Sequence, residues 1–223
     1  MQAQVINFPT NPQPVTKARK VTKAPDIHYF NKKQVQLIRR TVRDSAVLDS
    51  QKGKVTAIRE WAIIDTLTST GIRVGECANI RCSDIKTGYG QSELFIRNGK
   101  GSKSRTVQLP ESLKTHLNNY LKWKTSRKEA VGPDDYLFQG QRGPVTSQGI
   151  QLVVKKYLKQ LGLYEEGKSA HSLRHSYATQ YYHNTKDLRG LQKQLGHSSI
   201  QTTQIYADVT KEDIQQNLKG LWS

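Results

Sequence analysis

The strongest constraint on this chain's fold is a single hairpin pattern inside a sequence that otherwise has the period of helices. Ser92 to Arg97 and Arg105 to Leu109 are runs of the kind that form β-strands, and the Gly-rich, basic stretch 98–104 joins them. Helical patterns occupy most of the remaining sequence. We therefore predict a mainly α fold with a small antiparallel β-sheet, which places the chain in the α+β class.

Helical patterns lie on both sides of the hairpin. Asn31 has the position of an N-cap, and apolar residues follow it at helical spacing. A break is predicted at Thr70-Gly71, and Gly143-Pro144 is predicted as a turn. Further helices are predicted at Val55 to Ser69, Val74 to Ile80, Pro110 to about Thr125, Ser147 to Leu161, Ser172 to Tyr182, Asp187 to Leu195 and Thr210 to Leu218.

The first 27 residues differ in composition from the rest of the chain. They combine four prolines with polar and basic residues, and they hold too little apolar material to order themselves. We expect residues 1–27 to form a flexible basic N-terminal arm and residues 28–223 to form one domain. The basic run in the arm would either follow a polyanion's backbone or form a solvated linker.

The charge of the chain favours a polyanionic partner. Lys and Arg together number 35 against 18 Asp and Glu, which gives a formal charge of +17 at pH 7. Nucleic acid is the first candidate for such a partner. The alternative is a basic protein whose charge serves only its solubility, and motifs must decide between the two.

Cysteine usage and apolar runs indicate where the protein acts. Cys77 and Cys82 are too few for a disulfide scaffold, and they lack the second pair that a zinc site needs. No apolar run approaches the roughly 18 residues of a membrane span, and the N-terminal stretch lacks the apolar region of a secretory signal. We expect a soluble cytoplasmic protein with both cysteines in its core.

The densest group of chemically active side chains is 171–182, with two histidines, an arginine and three tyrosines. On a helix, His171 and Arg174 point to one side. His171 and His175 have the spacing of helical zinc ligands, but the ligand set of such a site is incomplete. Two interpretations stay open: a capped helix whose aromatic side chains pack inward, or one wall of a phosphate site. A phosphate site needs further cations from elsewhere in the chain.

Three further segments supply such groups. They are Thr70-Gly71-Ile-Arg73-Val-Gly-Glu76, Asn98-Gly-Lys100-Gly-Ser-Lys103 and Leu195-Gly196-His197, and Tyr206 follows nine residues beyond the last histidine. Together with His171-Ser-Leu-Arg174, in this order and spacing, they resemble the catalytic signature of the tyrosine recombinases, also called the phage integrase family. The resemblance covers about residues 28 to 223.

The resemblance implies a role for each cation. Arg73 and Arg174 correspond to the pair that grips the non-bridging oxygens of the scissile phosphate. Lys100 corresponds to the general acid that protonates the leaving 5′ oxygen, and Lys103 is its rival in the same turn. Contacts to DNA are expected from Lys103 and Arg105, and also from the basic residues of the arm, Lys17, Arg19, Lys20 and Lys23.

The other roles follow from the same resemblance. Tyr206 corresponds to the nucleophile, which would form a 3′-phosphotyrosine and reseal DNA without ATP. His171 and His197 correspond to histidines that hydrogen-bond the phosphate or assist proton transfer, and Glu76 to the acid that braces the segment of Arg73. Neither a metal nor another cofactor is implied. Structural roles are then left for His175, Tyr177, Tyr181 and Tyr182.

The residue types also suit phosphoryl transfer on chemical grounds. A free tyrosine with a pKa of about 10 is only about a thousandth ionised at pH 7, so a nucleophilic tyrosine needs a cationic pocket or a base beside it. Arginine donates two parallel hydrogen bonds to a phosphate and stays charged, whereas lysine can give a proton to a departing alkoxide.

The function expected from the resemblance is site-specific DNA recombination, by integration, excision or inversion. It implies binding to double-stranded DNA at an inverted-repeat site and strand exchange in a homo-tetramer through a Holliday junction. Without the family's separate N-terminal core-binding domain, the chain looks like the small single-domain members such as fimbrial phase-variation invertases. An accessory DNA-bending or directionality protein is then an expected partner, and the C-terminal stretch 210–221 would pack in cis or on a neighbouring protomer.

Two other functions fit the same residues. A type IB topoisomerase would cleave and reseal DNA without a partner site. A regulator on the same fold would bind DNA without cutting it, although a pure binder has no use for a nucleophilic tyrosine.

Overall fold

The computed structural model describes residues 28–97, 104–140 and 143–207. Its helices are α1 (Lys32–Gln51), α2 (Thr56–Thr70), α3 (Val74–Ala78), α4 (Glu111–Ser126), α5 (Ser147–Gln160), α6 (Ala170–Thr185), α7 (Leu188–Leu195) and α8 (Gln201–Gln204). Its strands are β1 (Ile85–Lys86), β2 (Glu93–Ile96), β3 (Arg105–Gln108), β4 (Gln139–Gly140) and β5 (Gly143–Pro144). The predicted mainly α fold with a small antiparallel sheet is confirmed.

Helix α2 is the centre of the domain. Every residue from Ala62 to Thr70 is buried, since α1, α4 and α6 pack around it. A helix covered on all sides must satisfy its polar side chains internally. The hydroxyls of Thr66, Thr68 and Thr70 do so by donating to the carbonyls one turn earlier, at 2.6 to 2.8 Å.

The hairpin predicted from the sequence is confirmed as β2 and β3, which pair antiparallel, and β1 adds a third strand beside β2. Leu94 and Val107 face each other across the hairpin, and both are fully buried. This pairing closes one side of the core and holds the start of β3 close to α7. Gly143-Pro144, predicted as a turn, forms β5 and pairs with β4.

Helix α6 begins earlier than predicted, at Ala170 and not at Ser172. Ser169 is the N-cap, and its hydroxyl accepts a hydrogen bond from the His171 amide. The Ser172 hydroxyl accepts from the Ser169 amide in return, so Ser172 is the third residue of a capping box and lies inside the helix. His171 is therefore fixed in the first turn. The helix predicted at Thr210 to Leu218 lies outside the described residues.

Two hydrophobic cores stabilise the described part of the domain. The larger core lies between α1 to α5, the sheet and the first half of α6, and it includes Cys77 and Cys82, both free and buried as predicted. A smaller core, which we call the small cluster, consists of Ala178, Leu191, Leu195 and Tyr206. Three tyrosines pack on its surface: Tyr177, Tyr181 and Tyr182.

None of the helices in the described ranges has both the length and the apolar character that crossing a bilayer requires.

Gly71 lies between α2 and α3, and its replacement is expected to destabilise the fold. It ends α2 with a φ of 64°, and a Cβ there would lie within 3.0 Å of three atoms of the Tyr177 ring. Gly53 has a similar φ of 69° but open space around it. Because left-handed backbone costs alanine about 1 to 2 kcal/mol and overpacking adds about 1 to 3, Gly71→Ala should lower the free energy of unfolding by about 3 kcal/mol.

Gly53→Ala is the matched control for this prediction and should cost only about 1 kcal/mol, the conformational part. Urea denaturation of both variants measures the difference. Equal losses would show that the Tyr177 ring moves aside at no cost.

Candidate active site

Arg73 and Glu76 are held together by the short helix that follows the Gly71 break. Arg73 is the N-cap of α3, and its amide donates to Glu76 Oε2 at 2.8 Å. Its guanidinium Nη1 donates to Glu76 Oε1 at 2.9 Å. The carboxylate thus fixes both the main chain and the side chain of Arg73, whose side chain is 28% exposed and faces outward.

Arg105, at the start of β3, contacts the same carboxylate from the other side. Its two terminal nitrogens donate to the two oxygens of Glu76 at 2.7 and 2.9 Å. Burial raises the pKa of Glu76, but the hydrogen bonds from Arg105 and Arg73 outweigh it, so the pKa is lowered overall. A single ionised carboxylate therefore lies between two guanidinium groups.

The environment of Arg105 differs from that of an exposed turn residue. The sequence grouped it with the DNA contacts of the hairpin, yet its side chain is 12% exposed and held by Glu76. A Cβ on Gly196 would lie 2.6 Å from Arg105 Cδ, so only glycine lets α7 approach this arginine. The structure places Arg105 behind Arg73, where it adds positive charge to the site.

Arg174 connects three segments that are distant in sequence. It is 3% exposed and donates from Nη1 to the Gly71 carbonyl at 2.7 Å. Its Nη2 donates to the Leu195 carbonyl and to His197 Nε2, both at 2.9 Å. These contacts use three of the five N–H groups of a guanidinium, so two remain for a ligand as far as the described residues show.

His197 is oriented by contacts to both of its ring nitrogens. Because Arg174 can only donate, His197 Nε2 must be the acceptor, and the ring hydrogen then lies on Nδ1. That nitrogen donates to Thr203 Oγ1 at 2.9 Å, and Thr203 is fully buried. His197 thus supports Arg174 in this structure.

Tyr206 lies in the small cluster with its hydroxyl against a histidine. It is 7% exposed, and its Oη is 2.6 Å from His175 Nδ1. The ring of His175 is itself packed edge-on against His171, with the ring centroids 4.5 Å apart. His171, at the exposed start of α6, completes a row of three side chains.

The charges of the site favour an anion. Burial lowers the pKa of Arg174 to about 10, and the positive charge of Arg73 contributes to the same shift. Burial and the charges of Arg174 and Arg73 lower the pKa of His197 to about 4 and also lower that of His171. Cations that depress one another's pKa have too few negative partners, and a bound anion would relieve this.

A metal site was one interpretation of the two histidines of α6. Within the residues that the structure covers, no group of three or more His, Cys, Asp or Glu is placed to hold a metal ion. The Nδ1 of His175 faces the Tyr206 hydroxyl.

The structure brings together seven of the residues singled out by sequence. They are Arg73, Glu76, Arg105, His171, Arg174, His197 and Tyr206. Lys100 and Lys103 lie outside the described residues, as do the basic residues of the arm, Lys17, Arg19, Lys20 and Lys23.

The sequence predicts a structural role for His175 and does not predict its contact with Tyr206. Its partner Tyr206 lies 31 residues away, and no local pattern relates the two. The local signal for His175 is its position one turn after His171, which equally fits the spacing of a metal-ligand pair.

Known proteins resemble this chain in sequence and in fold. Residues 28–213 match the sequence profile of the phage integrase family. The tyrosine recombinase XerC of Pediococcus pentosaceus is 34% identical over 196 residues, which make up 86% of this chain and 61% of the relative.

Two solved structures share the fold. The XerA recombinase superposes with a TM-score of 0.65 at 29% identity, covering 86% of this chain and 64% of that one. The XerH site-specific recombinase bound to its difH substrate gives a TM-score of 0.70 at 26% identity, covering 92% and 56%. This chain spans less than two thirds of the length of each of these three relatives. The profile match over most of its length shows that the chain belongs to the phage integrase family, the family of the tyrosine recombinases.

Proposed function

We propose that this protein is a site-specific DNA recombinase that cuts and rejoins DNA through a covalent 3′-phosphotyrosine on Tyr206. The observation that carries the proposal is the convergence of a buried tyrosine hydroxyl and Arg174 in one cluster with excess positive charge. Structural needs alone do not account for Arg174, whose partners among the described residues are two carbonyls and a histidine, because burying a charge without a counter-charge costs stability.

Double-stranded DNA is the partner we propose. The formal charge of +17 supports it, and the XerH relative was solved with a DNA substrate. By analogy with the family, the target would be an inverted-repeat site, and a homo-tetramer would exchange strands through a Holliday junction in the cytoplasm. The arm at 1–27 would follow the DNA backbone, and an accessory DNA-bending or directionality protein would assist.

Arg73 and Arg174 would hold the scissile phosphate. Arg73 is half-buried and extends from a rigid cap, and Arg174 keeps two N–H groups beyond those used by the described residues. Glu76 and Arg105 would fix the direction of Arg73, and His197 that of Arg174. Donors that are already oriented before the substrate arrives stabilise the charge of a phosphorane transition state most effectively.

His171 and Lys100 would complete the phosphate contacts. His171 is the exposed member of the cluster and can turn its ring toward a ligand. Lys100 would protonate the leaving 5′ oxygen from the hairpin turn, as the resemblance implies. The integration, excision or inversion that results depends on how the two DNA sites are arranged.

A suicide substrate tests this function. Nicked duplexes would be built from inverted repeats sought in the DNA flanking the gene, and they would let the short 5′ fragment diffuse away after cleavage and trap the intermediate. We expect a protein–DNA adduct that survives boiling in detergent, and peptide mapping should find the nucleotide on Tyr206. An adduct on another residue, or none on any such duplex, would refute the proposal. Relaxation of plasmids without the site, at catalytic rates, would favour a type IB topoisomerase.

A further inference from the structure

His175 and Tyr206 form the most direct contact to the proposed nucleophile. The distance of 2.6 Å between His175 Nδ1 and Tyr206 Oη is at the short end for an N···O hydrogen bond. Both residues belong to packed elements: His175 lies in the middle of α6, and Tyr206 is buried in the small cluster. The contact is therefore built into the fold of the described residues.

The direction of this hydrogen bond depends on the protonation of the two groups and on the tautomer of His175. Burial raises the pKa of Tyr206, and the nearby Arg174 offsets this only in part. Burial, His171 and Arg174 lower the pKa of His175 to about 4. At neutral pH the phenol keeps its proton and the imidazole is neutral; in the tautomer with the ring hydrogen on Nε2, Tyr206 Oη–H donates to Nδ1, which is the arrangement that a base requires.

The other two histidines of the site are placed differently. His197 uses both ring nitrogens, one to accept from Arg174 and one to donate to Thr203. His171 packs edge-on against the His175 ring, with the ring centroids 4.5 Å apart. Within the described ranges, His175 is the histidine whose nitrogen faces the Tyr206 hydroxyl.

We propose that His175 is the general base that takes the Tyr206 proton during DNA cleavage, an inference that rests on the function proposed above. As Tyr206 Oη forms its bond to phosphorus, the proton moves from Oη to Nδ1 and the ring becomes an imidazolium. The bond from phosphorus to the 5′ oxygen breaks, and that oxygen receives a proton from the general acid. On rejoining, the DNA 5′ hydroxyl attacks the phosphotyrosine and gives its proton back to the deprotonated general acid, the bond from phosphorus to Tyr206 Oη breaks, and the imidazolium returns the proton to Oη.

The surrounding charges make this base dependent on the substrate. His171 and Arg174 on the same helix and His197 from the α7–α8 connection all face His175, and their charges or potential charges disfavour an imidazolium. A phosphodiester brings one negative charge, and its transition state brings more. The anion offsets the cations, so His175 gains basicity when DNA occupies the site.

Two variants at position 175 test the proposal in the full chain on the nicked suicide substrate. His175→Ala removes the base, and His175→Asn keeps a short hydrogen-bond acceptor that cannot take a proton at neutral pH. We expect single-turnover cleavage to fall by about 10²- to 10⁴-fold in both, with thermal unfolding of the Asn variant close to that of the native chain. Should the Ala variant fail to fold, the Asn variant alone decides the matter.

The pH profile separates a base from a positioning group. The native rate should not fall between pH 6 and 9 on account of His175, which is already deprotonated there. In the variants, Tyr206 must ionise before it attacks, and its raised pKa makes the phenolate fraction increase about tenfold per pH unit across this range. A native rate in His175→Asn, or a pH slope equal to that of the native chain, would overturn the proposal.

A substrate with a bridging 5′ phosphorothiolate shows whether His175 transfers a proton at the nucleophile or at the leaving group. Its thiolate leaves without protonation, so it should restore cleavage in a variant of the general acid but not in His175→Ala. Full rescue of His175→Ala would place the histidine on the leaving-group side and refute its role as base. Faster cleavage by His175→Ala would refute it too, because it would mean that the contact only restrains Tyr206.

Failure of this inference can be told apart from failure of the proposed function. If the native chain forms no adduct, or if the adduct maps to another residue, the function itself is wrong. If the native adduct forms on Tyr206 while His175→Asn cleaves normally, only the assignment of the base is wrong.

Discussion

A chain carrying Tyr206→Phe should form no measurable covalent adduct with DNA, a loss of at least about 10⁴-fold in the cleavage rate. The oxygen that would bond to phosphorus is absent, and removing the nucleophile of a covalent mechanism typically costs this much or more. The variant should stay folded, since it loses one hydrogen bond, to His175, worth about 1 kcal/mol. Denaturing gels of the suicide-substrate reaction measure the rate.

Tyr182→Phe is the matched control for this prediction. Tyr182 packs on the same small cluster but lies outside the contacts of the site, so this variant should cleave at the native rate. Adduct formation that persists in Tyr206→Phe would assign the nucleophile to another residue.

Arg174→Lys should slow cleavage by about 10²- to 10³-fold and also destabilise the domain. Lysine cannot reproduce the forked contacts to Gly71, Leu195 and His197, and it offers a phosphate no bidentate pair. The two carbonyls would lose their donor, and a buried unsatisfied acceptor costs about 1 to 3 kcal/mol. The loss of an oriented donor accounts for the rate. Single-turnover kinetics and urea denaturation, both well below the unfolding temperature, measure the two effects.

Arg39→Lys controls for stability in this experiment. Arg39 donates to Asp65 at 2.5 Å, and Asp65 also contacts His116 at 2.6 Å, in a network that is separate, among the described residues, from the contacts of Arg73, Arg174 and Tyr206. This variant should lose stability and keep its cleavage rate. A native cleavage rate in Arg174→Lys would mean that Arg174 has only a structural role.

Local sequence signals predicted those elements whose causes lie within a few residues. The capping box of Asn31 and Gln34 starts α1, and alternating residues form the hairpin. Helix α8 was not predicted, because it has four residues and no side-chain hydrogen bond at its N-cap. Strand β1 has two residues and depends on pairing with β2, a contact that a two-residue pattern does not show.

The residues of the site also differ in whether the sequence or only the fold reveals their contacts. The order and spacing of short motifs singled out Arg73, Arg174 and Tyr206, because a family resemblance is carried by residue types. Two of the partners of Arg174 are main-chain carbonyls, which every residue possesses, so their identity follows only from the fold. The contact between His175 and Tyr206 likewise depends on how α6 packs against the chain after α8.

The division of the hydrophobic side chains into two cores affects how preparations of this protein should be judged. Arg73 and Glu76 lie at the start of α3, which packs in the larger core through Cys77 and Ala78. Tyr206 belongs instead to the small cluster at the end of the described chain. Proteins open in units whose stabilities differ, and a unit with few buried contacts opens at lower free energy than the whole. A sample whose melting curve looks native can therefore contain molecules that have lost the nucleophile from its place. The burst amplitude of adduct formation gives the fraction of molecules that can cleave DNA, and it is therefore the proper measure of an active preparation.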